Sequence, residues 1–291
     1  MINYYDLIVI GGSLRGCFTA AAAAKEGKTV LLIDSWTFLG CEISATLRPW
    51  LISEGFSEMD TELSSIFFDD ENFSKDNLYN DEIVFNLGSF KKGLMKFVRN
   101  SGARVLFSSW VAGVALDDNR AAGIVLANKS GFQFIRGNAI VDATENLGVM
   151  KITGQNITSY SHMENVKIMR TIEYFNLPLK ENTVFEIPVE QFSKFGIDKI
   201  DEKPVLLGNM KIAFHRAFEG ENHWYGELLY TIDYKQSHIN TIKLGSIQEN
   251  YEKINQLEIL SRLITGKVCN YLKNKCKEFE NALLAQTSPK V

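Results

Sequence analysis

Nowhere does the sequence hold the roughly 20 consecutive apolar residues that a bilayer-spanning helix requires, so no membrane segment is expected. Positive charge is not in excess either. Lys and Arg total 31 against 35 Asp and Glu, for a net charge of −4. A nucleic-acid partner is therefore not expected, because phosphate binding needs a basic face. Cysteine is sparse: Cys17, Cys41, Cys269 and Cys276 form no C-x-x-C pair. Cys269 and Cys276 lie two helical turns apart, which predicts a shared buried helix face. The histidines His162, His215, His223 and His238 lack ligand spacing, and no metal is expected. A basic stretch is missing before Leu7–Ile10, where Asp6 stands instead, and Arg15 interrupts the apolar run that continues to Ala24. That pattern argues against an export signal and for a cytoplasmic protein. What is present is ordinary for a globular chain, 45% hydrophobic and 23% charged, with 291 residues for one large domain or two smaller ones.

The first half has the rhythm of a parallel sheet. Asp6-Leu7-Ile8-Val9-Ile10 runs into glycines, as a strand buried on both faces does. Alanine-rich Cys17–Glu26 predicts a helix stopped by Gly27, and Thr29–Ile33 a second buried strand. Residues 51–88, with the acidic cluster Asp69-Asp70-Glu71, are expected to be surface loops and short helices. Ser89 is expected to cap a helix with Phe90, Leu94, Phe97 and Val98 on one face. A strand at Ala103–Phe107 follows. Val111–Leu116, Ala122–Ala127 and Phe132–Arg136, separated by Asp117-Asp118-Asn119 and Asn128-Lys129-Ser130-Gly131, predict a three-stranded antiparallel meander. Ala139–Val141 reads as a last, separate buried strand. Beyond residue 156 the β-α rhythm stops. Val166–Tyr174, Val205–Phe214 and Trp224–Tyr234 are strand-like, and Ser246-Ile247-Gln248-Glu249 has the form of a capping box opening a long helix. Ile247, Tyr251, Ile254, Leu257, Leu260, Ile264, Val268 and Tyr271 give that helix its apolar stripe.

One motif carries chemistry. Strand 6–10 leads into Gly11-Gly12-Ser13-Leu14-Arg15-Gly16, then the helix, then the second strand ending at Asp34. Gly11 permits the sharp turn, and Gly16 lets the helix pack close to the sheet. The helix N-terminus offers free N–H groups and a positive dipole end to a pyrophosphate. Asp34 follows Gly16 by 34 − 16 = 18 residues, where an acid accepts hydrogen bonds from an adenosine ribose and disfavours a 2′-phosphate. Ser13 replaces the fingerprint's second glycine, and its hydroxyl is a donor that can face a phosphate.

These residues resemble the start of FAD-dependent oxidoreductases of the two-dinucleotide-binding-domain type. Tyr5–Gly16, Val30-Leu31-Leu32-Ile33-Asp34 and Phe38-Leu39-Gly40 carry the likeness. Gly-Gly-Ser also resembles thioredoxin-reductase-like flavoproteins. Ile140-Val141-Asp142-Ala143-Thr144 is similar to the family's second FAD motif, and residues 278–289 to a stretch preceding its last flavin-binding segment. The resemblance implies FAD as cofactor, with Gly11, Gly12, Ser13, Leu14, Arg15, Gly16, Asp34, Ser35, Gly40, Cys41, Val111, Ala143 and Thr144 as binding residues. It also implies an α/β fold: a Rossmann-like FAD-binding domain with parallel sheet and meander over 1–155, a mainly β substrate domain over 156–245, and a helical segment over 246–291.

The sequence departs from the family at three places. Cys41 stands for the second glycine of the Leu-Gly-Gly element. Glu145-Asn146-Leu147-Gly148 follows Asp142-Ala143-Thr144, shifting the usual acid. The sequence ends at Val291, before the segment that closes over the isoalloxazine, so a partner chain or a second copy is expected to complete the flavin site. The leading reading is an FAD-dependent oxidoreductase, or a subunit of one, taking a hydride from a small organic substrate. A non-catalytic dinucleotide-binding subunit and an NAD-binding enzyme stay open. Arg48 is a candidate anion clamp for a substrate carboxylate or the flavin edge, with a surface arginine as the plainer alternative. His215 and His223 are candidate acid/base groups, with structural roles favoured. No catalytic residue is assigned.

Overall fold

The computed structural model describes residues 4–52, 61–68, 78–79, 82–118, 120–145, 147–154, 165–180, 182–191, 205–217, 220, 222–233 and 246–290. They fall into two compact units, Met1–Ala45 with Pro49–Ser159 and Thr46–Arg48 with Tyr160–Val291.

In the first unit β1 (Tyr4–Ile10), α1 (Leu14–Lys25) and β2 (Val30–Ile33) form the β-α-β unit that the apolar runs predict. Every residue of β2 is buried, and β1 and β2 pair in parallel from Leu7–Val30 to Ile10–Ile33. Cys17 and Ala20 of α1 enter the same core as Val9, Val30 and Leu32. Next come α2 (Cys41–Ser44), β3 (Trp50–Ile52), α3 (Thr61–Phe67), β4 (Leu78–Tyr79), β5 (Glu82–Val84), α4 (Leu87–Asn100), β6 (Arg104–Leu106), β7 (Trp110–Asp117), β8 (Arg120–Asn128), β9 (Gly131–Asp142) and α5 (Gly148–Ile152). The main sheet has the order β6-β2-β1-β9-β8-β7. Its first four strands are mutually parallel, and β9, β8 and β7 form the antiparallel meander.

Three sequence expectations need correction here. Phe132–Arg136 and Ala139–Val141 are one strand, β9, whose first half pairs antiparallel with β8 and whose second half runs parallel to β1. Gly137 does not break it. A Cβ there would lie 2.8 Å from Ile8 Cδ1, so the glycine marks a close side-chain approach within the sheet. The described parts of 51–88 are not all surface either. Ile66, Phe67, Phe68, Ile83, Val84 and Phe85 are buried, and Phe67 stacks on Phe90 of α4 at 5.4 Å. The cluster Asp69-Asp70-Glu71 lies outside the described residues. Lastly, α4 begins earlier than Ser89. Asn86 is its N-cap, and its side-chain oxygen accepts from the Ser89 N–H at 2.8 Å. Phe90, Leu94 and Val98 are buried as the periodicity requires.

The second unit is an antiparallel sheet of β10 (Asn165–Phe175), β11 (Val184–Ile187), β12 (Val205–Arg216), β13 (Trp224–Asp233) and β14 (Leu283–Thr287) in the order β11-β12-β13-β10-β14. The long helix α6 (Ser246–Lys275) buries Leu260, Ile264, Val268 and Leu272 among Ile168, Ile172, Tyr174, Leu228 and Phe279. Leu272, not Tyr271, ends the fully buried stripe, and Ile254 is exposed, because the core face follows the i, i+4 row from Leu260. The side chains of Ser246–Glu249 and of Tyr251 lie outside the described set. Cys269 is on α6 and Cys276 just beyond its end; both pack against this core.

One buried cation locks the unit. Arg170 on β10 donates from Nη2 to Glu258 Oε1 at 2.6 Å and to Ser261 Oγ at 2.9 Å on α6, and from Nη1 to the Ser288 carbonyl. Strand, helix and C-terminal segment thus share a single guanidinium, whose planar fork suits several acceptors at once. Among the described residues no helix is long and apolar enough to cross a membrane.

Candidate functional site

The turn after β1 gathers four separate sequence segments. Gly11, at φ +104°, has no room for a side chain: a Cβ would lie 2.7 Å from the Ala143 carbonyl carbon and 2.8 Å from Thr144 N. Gly16 is tighter still, since a Cβ would meet Gly11 O at 1.9 Å. Ser13 is the N-cap of α1. Its hydroxyl accepts from Gly16 N at 3.3 Å and donates to Ala143 O at 3.2 Å. The single hydroxyl proton therefore goes to Ala143 O, so Ser13 caps the helix and is not the phosphate donor that its residue type suggests. Gly40 bends the chain in the left-handed region, and its N–H donates to Gly12 O at 2.7 Å, bringing Leu39, Cys41 and Glu42 to the turn.

Asp34 is buried. It accepts from Gly12 N through Oδ2 and from Trp36 N at 2.7 Å through Oδ1, so its carboxylate holds the glycine turn in shape. Ser35 beside it is exposed. Ser109 N donates to Asp34 O at 3.1 Å, which sets Val111 two residues along β7, half-buried and paired with Leu126. Arg15 is exposed on the first turn of α1. The structure therefore brings Gly11–Gly16, Asp34, Gly40, Cys41, Ala143 and Thr144 around one turn. Val111 is joined to that turn along the chain through Ser109, whose N–H reaches Asp34 O.

Asp142 turns out to be a local organiser. Its Oδ1 accepts from Thr144 N at 3.0 Å and its Oδ2 from Val149 N and Met150 N at 2.9 and 3.0 Å, capping α5. A group absent from the expected set also sits at the turn. Glu42 Oε1 accepts from Leu14 N at 2.5 Å, at the N-terminus of α1. Cys41 Sγ lies 3.5 Å from Glu145 Oε1. Burial first, and then the Glu42 and Asp34 charges, push the Cys17 thiol far up, so it stays protonated and structural. The glycine spacing, the capped helix end and the buried Asp34 fit the adenosine and diphosphate of a dinucleotide. Glu42, on the end of α1, opposes a phosphate.

The second unit has its own polar constellation. On β10, Ile172 and Tyr174 face α6, so Glu173 between them points to the other face. In register with Glu173 stand Tyr225 on β13 and Gln286 on β14, and His215 on β12 pairs with Tyr225. Glu173 accepts from Tyr225 OH at 3.0 Å and Gln286 Nε2 at 2.7 Å, and lies 2.7 Å from His223 Nε2. Burial acts to raise the Glu173 carboxyl, but the His223, Gln286 and Tyr225 partners hold it below the ordinary carboxylate range. Glu227, one row on, pairs with Arg48 at 3.2 Å. His223 is thus buried and partnered, and Arg48 is tied to an acid. The stretch 278–289 supplies β14 and Gln286. Strand alternation around Glu173 was the available sequence signal for this row, and it needed the pairing of distant strands to become visible.

Comparison with solved structures finds similar folds at low identity. A geranylgeranyl bacteriochlorophyll reductase-like protein from Thermoplasma acidophilum matches with TM-score 0.58 and 15% identity, over 98% of this chain and 65% of that one. An aromatic hydroxylase from angucycline biosynthesis matches with TM-score 0.56 and 9% identity, over 98% and 51%. A p-nitrophenol 4-monooxygenase from Pseudomonas putida matches with TM-score 0.53 and 9% identity, over 99% and 67%. The chain thus spans between half and two thirds of the length of these structures. Comparison with curated protein sequences finds no match. The family model for FAD dependent oxidoreductases matches residues 6–291, and with the turn of residues 11–16 in place the chain belongs to that FAD-using family.

Proposed function

We infer that the protein is an FAD-dependent oxidoreductase, or one subunit of it, in which a small organic substrate gives up a hydride. The observation that carries this reading is the convergence of residues 11–16, 34, 39–42 and 142–145 on one glycine turn. FAD, when bound, supplies the two-electron acceptor. The chain's own part is to hold and orient. The N–H groups of Ser13, Leu14 and Arg15 belong to the helix end that cannot be satisfied within the helix, and they are the donors for a diphosphate, that of Leu14 once Glu42 has left it. Asp34 keeps the turn in shape and accepts from the ribose hydroxyls. Gly11 and Gly16 keep strand and helix close enough for both to happen at once. In the second unit the row His215, Tyr225, Glu173 and Gln286 groups an imidazole, a hydroxyl, a carboxylate and an amide along one strand register.

A second reading, a dinucleotide-binding subunit without flavin chemistry, is favoured by one observation: Glu145 brings a carboxylate to the Asp142-Ala143-Thr144 element, 3.5 Å from Cys41 Sγ. A partner chain or second copy that adds contacts to the flavin belongs to the first reading. The visible spectrum of the purified protein separates the readings. The oxidoreductase is yellow, keeps its colour through gel filtration alone or with its partner, and bleaches when an oxidisable substrate is added without oxygen. A colourless protein that binds ADP but never FAD would overturn the catalytic reading.

A further inference from the structure

The geometry points to Glu42 as an internal stand-in for phosphate: its carboxylate occupies the helix-end position that the cofactor's diphosphate needs, and the dinucleotide binds only by displacing it. This inference rests on residues 11–16 being the dinucleotide turn. Three observations support it. First, the contact is direct, Leu14 N–H donating to Glu42 Oε1 at 2.5 Å, and Leu14 is the first residue of a helix of 12 residues. A negative group there gains from the unsatisfied N–H groups and the dipole, which are the same two terms a phosphate would use. Second, Glu42 is placed there by the fold. The left-handed bend at Gly40 and the bond from Gly40 N to Gly12 O fix the start of α2 against the turn. Third, the surroundings make co-occupancy unfavourable. Asp34 is buried beside Gly12, and Glu145 lies against Cys41, so a diphosphate entering beside an undisplaced Glu42 meets three carboxylates. Arg15, the basic residue of this turn, is exposed.

Glu42 is therefore a specificity-determining residue. It penalises ligands through their phosphates alone and leaves the adenosine end untouched. The test is calorimetric titration of the full chain and its Glu42→Gln variant with adenosine, ADP and FAD. ADP and FAD should each bind about tenfold more tightly to Glu42→Gln, while adenosine affinity stays unchanged. Inorganic pyrophosphate should compete with ADP more strongly in the variant. Glu42→Asp keeps the charge but is too short to reach Leu14 N, and it should give a smaller gain in the same direction; it serves if the glutamine variant does not fold. Equal affinities for ADP in all three proteins would overturn the inference while leaving the dinucleotide turn intact. So would a gain for adenosine equal to that for ADP, since that marks a change of fold and not of phosphate binding. If neither wild type nor variants bind ADP or FAD at all, the reading of residues 11–16 fails, and the inference with it.

Discussion

At Gly16 the absence of one methyl group decides whether the turn exists. Replacing it with alanine drives the new Cβ to 1.9 Å from Gly11 O, a backbone atom that cannot move without shifting β1. Gly16→Ala is expected to cost on the order of 3 kcal/mol in a urea melt and to remove ADP binding. Asp34→Ala should weaken ADP by about 1.5–3 kcal/mol in calorimetry through the lost charge-assisted bond to ribose. Unchanged affinity would mean that the carboxylate serves only Gly12 and Trp36. Glu173 gives a pH prediction. Its folded carboxyl sits below the ordinary glutamate range, so its contribution to stability is complete above that range and is lost as pH falls through the lower folded value. Thermal melts should show the Glu173→Gln variant losing less stability than wild type across that acid window. At this scale the sequence disclosed Gly11, Gly16 and Asp34, whose roles follow from local spacing. Glu42 and Glu173 stayed hidden because their partners lie 28 and 50 or more residues away.

The start of α4 shows what an element owes to its surroundings. Asn86 and Ser89 are both good caps by residue type. Phe85 is buried, with its N–H on the Pro49 carbonyl, so the chain leaves the sheet there and the helix has to begin at once. Asn86→Ala should cost about 1 kcal/mol in chemical denaturation, whereas Ser89→Ala should stay within about 0.5 kcal/mol of wild type. The reverse ranking would return the cap to Ser89. β9 teaches the same lesson. Gly137-Asn138 looks like a break between two strands, but Ile8 crosses at the glycine, and one strand serves both β8 and β1.

Across the second unit, Arg170 joins β10, α6 and the C-terminal segment through side chains no local pattern could connect. Arg170→Met should lower stability by roughly 3 kcal/mol, since Glu258, Ser261 and the Ser288 carbonyl each lose a donor at a largely buried site. Hydrogen exchange should then show α6 and β14 opening together. If β14 alone frays, the arginine is not the shared lock.

The β-α-β unit, the parallel strands and antiparallel meander of the first sheet, the long helix and the glycine turn are written in short-range order: apolar runs, alanine content and glycine spacing act within a few residues of themselves. Tertiary structure decided which of two caps starts α4, that β9 is continuous, and that part of 51–88 is core. It also placed Glu42 on the end of α1 and set His215, Tyr225, Glu173 and Gln286 in one row. Those outcomes depend on which distant segments meet. Burial and strand register settle that only when the whole chain has folded.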